Sequence, residues 1–380
     1  MDIGVASVDR RLGVSAFVVF GVLFFGGAKG FGEEKPKPSP DVIVFANGDR
    51  LSGTLVRGVG DKIVFKSDVA GEVTVPLDKI KELRSSGSFA VLRKDEKVTR
   101  TNVMPGTIEY ADGKITVANP VGEPVVVPAK AMSFMIDQAT YDKELERKPG
   151  PLYGWNGAVN AGATFVRATQ NSETFTGGLW LERVIPAVSF LPSRNRTRID
   201  FNESFGKVTQ EGSPELKTNI FHAGMERDEY LRPRFYALAQ TAFDHNFSQG
   251  LDLSQTYGLG LGWTPIKREK TQMDVKADVH YLKQQFETAV SNQNLVGSTV
   301  TESYRKTLPR KMIFTEQASV VPAWNNLSAY AANASAGVVV PVYKRLSFQV
   351  NAVDNFLNEP AVGFKKNSFQ TVTGISYSLR

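Results

Sequence analysis

Charged side chains alternate along one segment of this sequence. Asp274, Lys276, Asp278 and His280 occupy every second position, so a β-strand would present all four on one face. Asp252 has the matching position on the neighbouring segment. One interpretation is an ion or proton path, or the acid–base pair of a hydrolase at a rim of the fold. We favour a plug of mutually satisfied ion pairs, because buried charges must be paired.

Motif searches add no stronger chemistry. The chain has no cysteine, which excludes disulfides, thiolate metal sites and cysteine nucleophiles. His222, His245 and His280 are too scattered to indicate a zinc site. The G-L-G-L-G run at 258–262 lacks the strand–loop–helix context of a nucleotide loop and is typical of small residues inside a barrel. The sequence therefore predicts no catalytic, cofactor-binding or metal-ligating residue, no cofactor and no enzymatic activity.

Two further polar segments carry weaker signals. Arg194, Arg196 and Arg198 lie beside a predicted turn and can bind lipopolysaccharide phosphates through charge-assisted hydrogen bonds. We favour a solvated turn, where exposed charges contribute little to stability. The polar stretch from Thr288 to Ser303 predicts an extended external loop.

The composition limits the class of protein. The chain has 380 residues and a net charge of +6, with 42% apolar and 22% charged residues. These values exclude an intrinsically disordered chain and a bundle of membrane helices. What remains is a folded, β-rich protein with one large domain or two ordinary ones.

Long alternating segments in residues 152–380 predict a membrane-spanning β-barrel. Runs of about ten residues with one apolar face and one polar or small face are typical of such barrels. The apolar faces comprise Leu251, Leu253, Tyr257, Leu259, Leu261 and Trp263, then Met273, Val275, Ala277, Val279 and Tyr281, and finally Phe369, Ile375, Tyr377 and Leu379. The aromatic residues that predict interface girdles near strand ends are Trp155, Trp263, Trp324, Tyr343 and Phe356.

The number of strands is less well determined than the architecture. Candidate strands begin near residues 154, 173, 196, 216, 234, 251, 270, 310, 327, 345 and 368. Because single-chain bacterial barrels have an even number of strands, we expect ten to twelve, and Ser303–Pro322 is one place where two strands could hide. A barrel this narrow is filled largely by side chains. The alternative is a soluble two-sheet sandwich with shorter strands.

The N-terminus predicts export. Two arginines precede an uncharged run at 12–27, which is shorter than the roughly 20 residues that a membrane-spanning helix needs. Small residues at Ala28 and Gly30 suit a signal peptidase. We expect a cleaved signal peptide at 1–30 and a Pro-rich linker at 31–41; an uncleaved anchor is the alternative.

Residues 42–137 contain an internal repeat. An Ile-Val-Phe run at 63–65 followed by G-E-V-T-V-P at 71–76 recurs as Ile-Thr-Val at 115–117 followed by G-E-P-V-V-V-P at 122–128. Each copy then closes on a short apolar segment. This pattern predicts two small β-meander barrels of the Sm-like kind that pack together, since neither copy alone buries much core. Their role is either a periplasmic interaction module or a structural plug or stalk.

Two blocks of the C-terminal half resemble a known family. The segment FDHNFSQGLDLSQTYGLGLGW at 243–263 and the ending DNFLNEPAVGFKKNSFQTVTGISYSL at 354–379 are similar to the salt-induced outer membrane protein family, a domain of unknown function in Gram-negative bacteria. The resemblance implies an outer-membrane barrel with no established enzymatic activity. Family members often end in an aromatic residue that the barrel-assembly machinery reads, whereas here Tyr377 is the last aromatic residue.

Together these features predict an exported, all-β protein in two parts. Residues 42–137 are expected in the periplasm, 138–151 as a linker, and 152–380 as an antiparallel transmembrane barrel in the cell outer membrane. The expected role is structural, adhesive or narrowly permeative. The expected partners are outer-membrane lipid, lipopolysaccharide, the barrel-assembly machinery and a periplasmic protein, with no nucleic acid. The alternatives are a rim hydrolase acting on lipid or peptide, and a soluble periplasmic sandwich that binds glycan or peptide.

Overall fold

The computed structural model describes residues 40–95, 103–119, 122–146, 150–166, 170–210, 215–287 and 291–379. The predicted signal peptide and nearly all of the linker that follows it lie outside these residues. Within them the fold is all-β, as predicted, with one nine-stranded sheet and one closed barrel.

The N-terminal sheet consists of nine short strands. Their bounds are β1 (Asp41–Phe45), β2 (Arg50–Val59), β3 (Lys62–Ser67), β4 (Gly71–Pro76), β5 (Ile80–Arg93), β6 (Gly106–Ala111), β7 (Lys114–Ala118), β8 (Val125–Pro128) and β9 (Met132–Asp137). The strand order is β4-β3-β2-β1-β5-β6-β7-β8, and β9 pairs with both β2 and β5. A short helix, α1 (Gln138–Tyr141), follows β9.

The predicted repeat is visible, and its two copies share β5. In each copy a 3-10 turn, Leu77–Lys79 or Ala129–Ala131, leads into the closing strand. The first half of β5 pairs with β1 of the first copy, and its second half pairs with β9 of the second copy. Side chains from both copies, including Phe65 and Ile115, form one buried core. The copies are therefore packed together as expected, because each supplies half of a common core.

The C-terminal strands close into an antiparallel barrel. They are β10 (Trp155–Val166), β11 (Gln170–Ile185), β12 (Asn195–Gln210), β13 (Leu216–Arg232), β14 (Phe235–Asn246), β15 (Leu251–Arg268), β16 (Thr271–Phe286), β17 (Gln293–Thr307), β18 (Ile313–Val321), β19 (Ala331–Tyr343), β20 (Leu346–Leu357) and β21 (Asn367–Ser378). The ring closes where β10 pairs with β21, from Ala158 opposite Ser378 to Ala161 opposite Ile375. The two-sheet sandwich is therefore wrong, and twelve strands lie within the expected range.

One prediction about the barrel is wrong. The stretch from Thr288 to Ser303 is not an extended external loop, because Gln293–Thr307 forms β17. The alternation of apolar outward and polar inward residues does not reveal this strand. Apolar Leu295 is buried on the lumen side, and charged Glu302 lies on the outward side. With β17 added, the even number of strands is restored.

The two ends of the barrel differ in their connections. We call the end where β10 begins and β21 ends the termini end, and the opposite end the loop end. Three two-residue turns, at 233–234, 269–270 and 344–345, lie at the termini end. Nine-residue connections at 322–330 and 358–366 lie at the loop end. The termini end also has the nine-residue β11–β12 connection at 186–194 and a five-residue connection at 308–312. What distinguishes this end is therefore its three two-residue turns.

The barrel is apolar outside and polar inside. Large apolar side chains are exposed around its outer wall, among them Phe175, Phe201, Leu259, Val279, Val300, Phe348 and Ile375. Buried positions facing the lumen carry polar or charged groups, among them Arg196, Glu226, Asp228, Asp274, Gln284 and Thr301. This distribution is the reverse of that in a soluble protein. Among the described residues, no helix is long and apolar enough to cross a bilayer.

The sheet and the barrel meet at the connection between β11 and β12. Leu191 from this connection packs into a buried cluster with Leu92 of β5 and Tyr141 of α1. Glu144, just after α1, accepts a hydrogen bond from the Ala187 backbone N–H at 2.8 Å and another from the Tyr153 hydroxyl. Burial raises the pKa of Tyr153, and the hydrogen bond to Glu144 acts in the same direction. The segment assigned to a linker, 138–151, thus includes buried contacts between the two parts.

Candidate functional site

An ion-pair lattice fills part of the lumen near the termini end. The Arg196 Nε donates a hydrogen bond to Asp228 Oδ2 at 2.6 Å, and its Nη1 lies 3.5 Å from Asp274 Oδ2. The guanidinium also lies over the rings of Tyr230 and Tyr236, at 5.8 and 5.0 Å from their centroids. Arg196 is only 3% exposed, so its positive charge is compensated by these protein groups and not by water.

The lattice continues through a second arginine and a lysine. Arg198 Nη1 donates to Glu226 Oε1 at 2.7 Å, and its Nε donates to Glu182 at 3.3 Å. Lys276 pairs with the other oxygen of Glu226. Since Arg198 is on β12 and Lys276 on β16, strands four apart in a ring of twelve, the pairs cross a chord of the lumen. The predicted plug of ion pairs is therefore present, with Asp274 and Lys276 in it.

The interpretation of the arginine stripe as a solvated turn is wrong for two of its members. Arg196 and Arg198 are the cations at the centre of the lattice. Arg194 lies on the connection that contacts the N-terminal sheet, where its Nη2 is 3.4 Å from the Glu144 carbonyl oxygen. The sequence predicted a solvated turn because the ion-pair partners of these arginines, Glu226 and Asp228, are distant in the sequence.

Asp278 and His280 form a separate buried pair midway along β16. His280 Nδ1 lies 2.7 Å from Asp278 Oδ1, and Gln240 donates to the other carboxylate oxygen at 2.9 Å. Asp252 does not join them, contrary to the prediction. The pairing of β15 with β16 shifts register between Leu251 and Leu253, so Asp252 is exposed and Leu251, expected outward, is buried.

A cavity of about 490 Å³ occupies the lumen toward the loop end. In its wall His222 bridges two carboxylates, with Nε2 at 2.8 Å from Asp200 and Nδ1 at 2.5 Å from Asp244. Both ring nitrogens face carboxylate oxygens, an arrangement that favours the doubly protonated, cationic imidazole, which donates to both. It therefore has no free lone pair with which to act as a base. Neither carboxylate was identified from the sequence, since they lie on two different strands.

The rest of the cavity wall is rich in amide side chains. These are Asn160, Asn202, Asn246, Gln249, Gln284, Gln317, Asn333, Gln349, Asn351, Asn355 and Gln370. No motif links them in the sequence, because each strand contributes only one to three. Apart from Gln249, which lies in the turn after β14, their only common signal is an inward position in the alternation of their strands.

A turn closes over this cavity at the loop end. Gln249, between β14 and β15, donates to the backbone carbonyls of Asn355 at 3.1 Å and Lys366 at 2.9 Å. Strands β14 and β15 are six places around the ring from β20 and β21, so these bonds cross the mouth of the barrel. We call residues 247–250 the strap.

The glycines at 258–262 are small inward residues, as predicted. They lie within β15 and not in a loop between a strand and a helix. A Cβ atom at Gly262 would lie 2.1 Å from the ring of Tyr236, so only glycine leaves room for that buried ring beside the lattice. Across the described residues, no group of three or more histidine and carboxylate side chains is arranged to hold a metal ion.

The fold and its polar interior define a closed twelve-stranded antiparallel β-barrel protein. Residues 159–379 match the family described as "Protein of unknown function, DUF481". The chain belongs to this family. A comparison with curated proteins finds no match.

Three solved structures are similar to the chain. The translocator domain of the autotransporter NalP from Neisseria meningitidis is 9% identical with a TM-score of 0.33, over 59% of this chain and 87% of that one. The β domain of the Bordetella autotransporter BrkA is 10% identical with a TM-score of 0.31, over 59% and 98%. CdiB from Acinetobacter baumannii is 11% identical with a TM-score of 0.24, over 86% and 66%.

Proposed function

We propose that this protein is an outer-membrane barrel that anchors its N-terminal sheet at the periplasmic side. The observation that carries the proposal is the exposed apolar outer wall around a lumen of buried polar and charged groups. Contiguous apolar surface of this extent needs lipid or a partner to cover it. Alternation of apolar-out and polar-in residues is the pattern of barrels that cross the outer membrane.

The connections of the barrel support an orientation. Outer-membrane barrels have short periplasmic turns and longer extracellular loops. Three of the five connections at the termini end are two-residue turns, so we propose that this end is periplasmic and that the strap faces the cell exterior. The N-terminal sheet contacts the termini end through Leu191, which agrees with the export signal predicted at residues 1–30.

The lumen favours a structural role over free permeation. The lattice between β12 and β16 crosses the lumen near the periplasmic end. The strap crosses it at the other end. A solute passing through would have to displace buried ion pairs, whose separation leaves uncompensated charge. Of the roles expected from the sequence, we therefore propose a structural anchor.

We also propose that the barrel has no catalytic activity. His280 is 4% exposed and lies midway along β16, away from either rim where a lipid or peptide would arrive. His222 has both ring nitrogens bonded to carboxylates. A general base needs a free nitrogen within reach of its substrate. We expect no hydrolysis of phospholipid or peptide substrates by the purified protein.

The partners proposed are those that this location requires. They are outer-membrane lipid and lipopolysaccharide around the outer wall, the barrel-assembly machinery, and a periplasmic protein that binds the N-terminal sheet. Tyr377, exposed on the outer wall near the end of β21, is the residue we propose for recognition by the assembly machinery.

The test is gel mobility of the outer-membrane fraction in SDS, comparing unheated and boiled samples. A folded membrane barrel resists cold detergent, so its band should move on boiling. Planar bilayer recordings on the same preparation should show no steady conductance. A chain found in the soluble fraction, with no shift, would contradict the membrane location, and an open channel would contradict the structural role.

A further inference from the structure

The lumen cavity has the size of a ligand site. Its volume of about 490 Å³ lies within the range of roughly 300–1,000 Å³ that small-molecule sites occupy. Gln249 and Leu357 form part of its wall at the loop end, where the strap crosses the mouth. The cavity is therefore a chamber beneath the strap, and we call it the chamber.

The amides in the chamber wall are available to a ligand. The side chains of Asn202, Gln317, Gln349, Asn351 and Gln370 line it, and none has a hydrogen-bond partner among the described residues. Each amide offers two N–H donors and one carbonyl acceptor. Their strands hold the backbone at fixed spacing, so a ligand has to order these side chains but not the main chain.

The charges in the chamber are largely compensated. His222 lies between Asp200 and Asp244, which leaves one net negative charge in this group. Glu203 and His245 also border the chamber, but in register they occupy outward positions of their strands. No lysine or arginine side chain lines the chamber in the described part of the chain, so an anionic ligand would lack a counter-charge.

Apolar side chains lie next to the free amides. Val353 and Val372 share the inward face with Asn351 and Gln370 and also line the chamber. A simple ion would gain nothing from them. A sugar ring would, because its hydroxyl edge accepts and donates hydrogen bonds while its C–H face is apolar.

We infer that the chamber is a binding site for a neutral polyhydroxylated molecule, a mono- or disaccharide. The amides bind its hydroxyl groups, and Val353 and Val372 contact its C–H face. The ligand enters from the loop end when the strap opens. This inference goes beyond the anchoring role, and the membrane location does not depend on it.

The test is calorimetric titration of the purified full-length protein in detergent with glucose and with maltose. We expect saturable binding of at least one sugar. Replacing Gln349 and Asn351 together by alanine should weaken it at least tenfold, because both amides line the chamber. Ser347→Ala is the matched control, since Ser347 is on the same inward face of β20 but outside the chamber wall, and its affinity should be unchanged.

Two results would overturn the inference. The first is the absence of saturable binding heat for both sugars at concentrations up to about ten times a dissociation constant of roughly 1 mM. The preparation tested must keep its heat-dependent gel shift. The second is binding that the double variant leaves unchanged, which would locate the sugar elsewhere. In both cases the gel shift reports separately on the barrel, so failure of this inference and failure of the anchoring role are distinguishable.

Discussion

At the scale of single residues, the lattice concentrates the stability of the barrel in a few side chains. Arg196 touches two carboxylates and two aromatic rings within one buried site. Removal of one partner from a buried pair costs far more than loss of an exposed pair, because the remaining charge stays buried without compensation. The arginines of this chain should therefore differ sharply in their contribution to stability.

The first prediction concerns Arg196→Ala. It leaves Asp274 buried without a cation and Asp228 with only Arg198, whose Nη2 is 3.9 Å away, so we expect a loss of about 3–5 kcal/mol in the free energy of unfolding. Arg84→Ala is the control, since that side chain is 72% exposed in its ion pairs and should cost under about 1 kcal/mol. Urea titration followed by circular dichroism, which reports on the strands of both the sheet and the barrel, measures both. Equal losses would contradict the lattice.

The second prediction concerns the room beside Tyr236. A methyl group at Gly262 would overlap the buried ring, with its nearest atom at 2.1 Å. We expect Gly262→Ala to destabilise the barrel by roughly 1–3 kcal/mol through overpacking. Gly177→Ala, also within a barrel strand, meets nothing within 4 Å and should be neutral. The same urea titration distinguishes them, and a neutral Gly262→Ala would mean that the ring can move aside.

Much of the residue-level chemistry could not be predicted from the sequence. The alternation of Asp274, Lys276 and Asp278 correctly indicated an inward charged face, because strand periodicity is a local property. The arginine partner of Asp274, Arg196, is 78 positions away in the sequence, and local patterns carry no information on pairing across a lumen. His222 was dismissed for the same reason, since both carboxylates that hold it lie on other strands.

At the scale of elements, the strap is the part that determines access to the chamber. Its bonds from Gln249 reach carbonyls on the opposite side of the ring. Residues nearby depend on it, since the Glu287 N–H donates to the Gly250 carbonyl at 3.0 Å. Loss of the Gln249 amide should therefore loosen the whole mouth.

The third prediction follows from these bonds. Gln249→Ala should accelerate amide hydrogen exchange at Glu287 and at Ala361, whose N–H reaches the Gln249 carbonyl at 3.4 Å, because the strap opens more often. Gln285→Ala is the control, since no hydrogen bond holds the Gln285 amide among the described residues. Exchange mass spectrometry compares the two variants. Unchanged protection in Gln249→Ala would mean that the apolar contacts around Ala361 keep the mouth closed.

Elements were easier to predict than their contacts, with two instructive failures. Strands with strict alternation, such as β15 and β16, were found, and so was the repeat, because both signals are local. Strand β17 was missed since Leu295 faces inward and Glu302 outward, against the period-two pattern. Asp252 was placed on the wrong face because a register shift at one position reverses the faces beyond it.

At the scale of the whole molecule, one small interface couples the sheet to the barrel. It consists of the β11–β12 connection, the end of β5, β9 and the segment after α1. Leu191 is 4% exposed at its centre. If the sheet is held against the periplasmic end, a partner bound to it is also held close to the membrane, so this interface links the two halves of the proposed anchor.

The last prediction separates that coupling from the stability of the barrel. Leu191→Asp introduces an unpaired charge into the buried cluster, which is costly unless the two parts separate. Because the lattice and the barrel strands do not depend on Leu191, we expect the heat-dependent gel shift to persist while limited proteolysis cuts readily between residues 138 and 154. Leu152→Asp, at a side chain that is 90% exposed, should keep the wild-type protease resistance. Loss of the gel shift in Leu191→Asp would show instead that the barrel needs the sheet in order to fold. The N-terminal half would then be a folding partner of the barrel and not a module that the barrel carries.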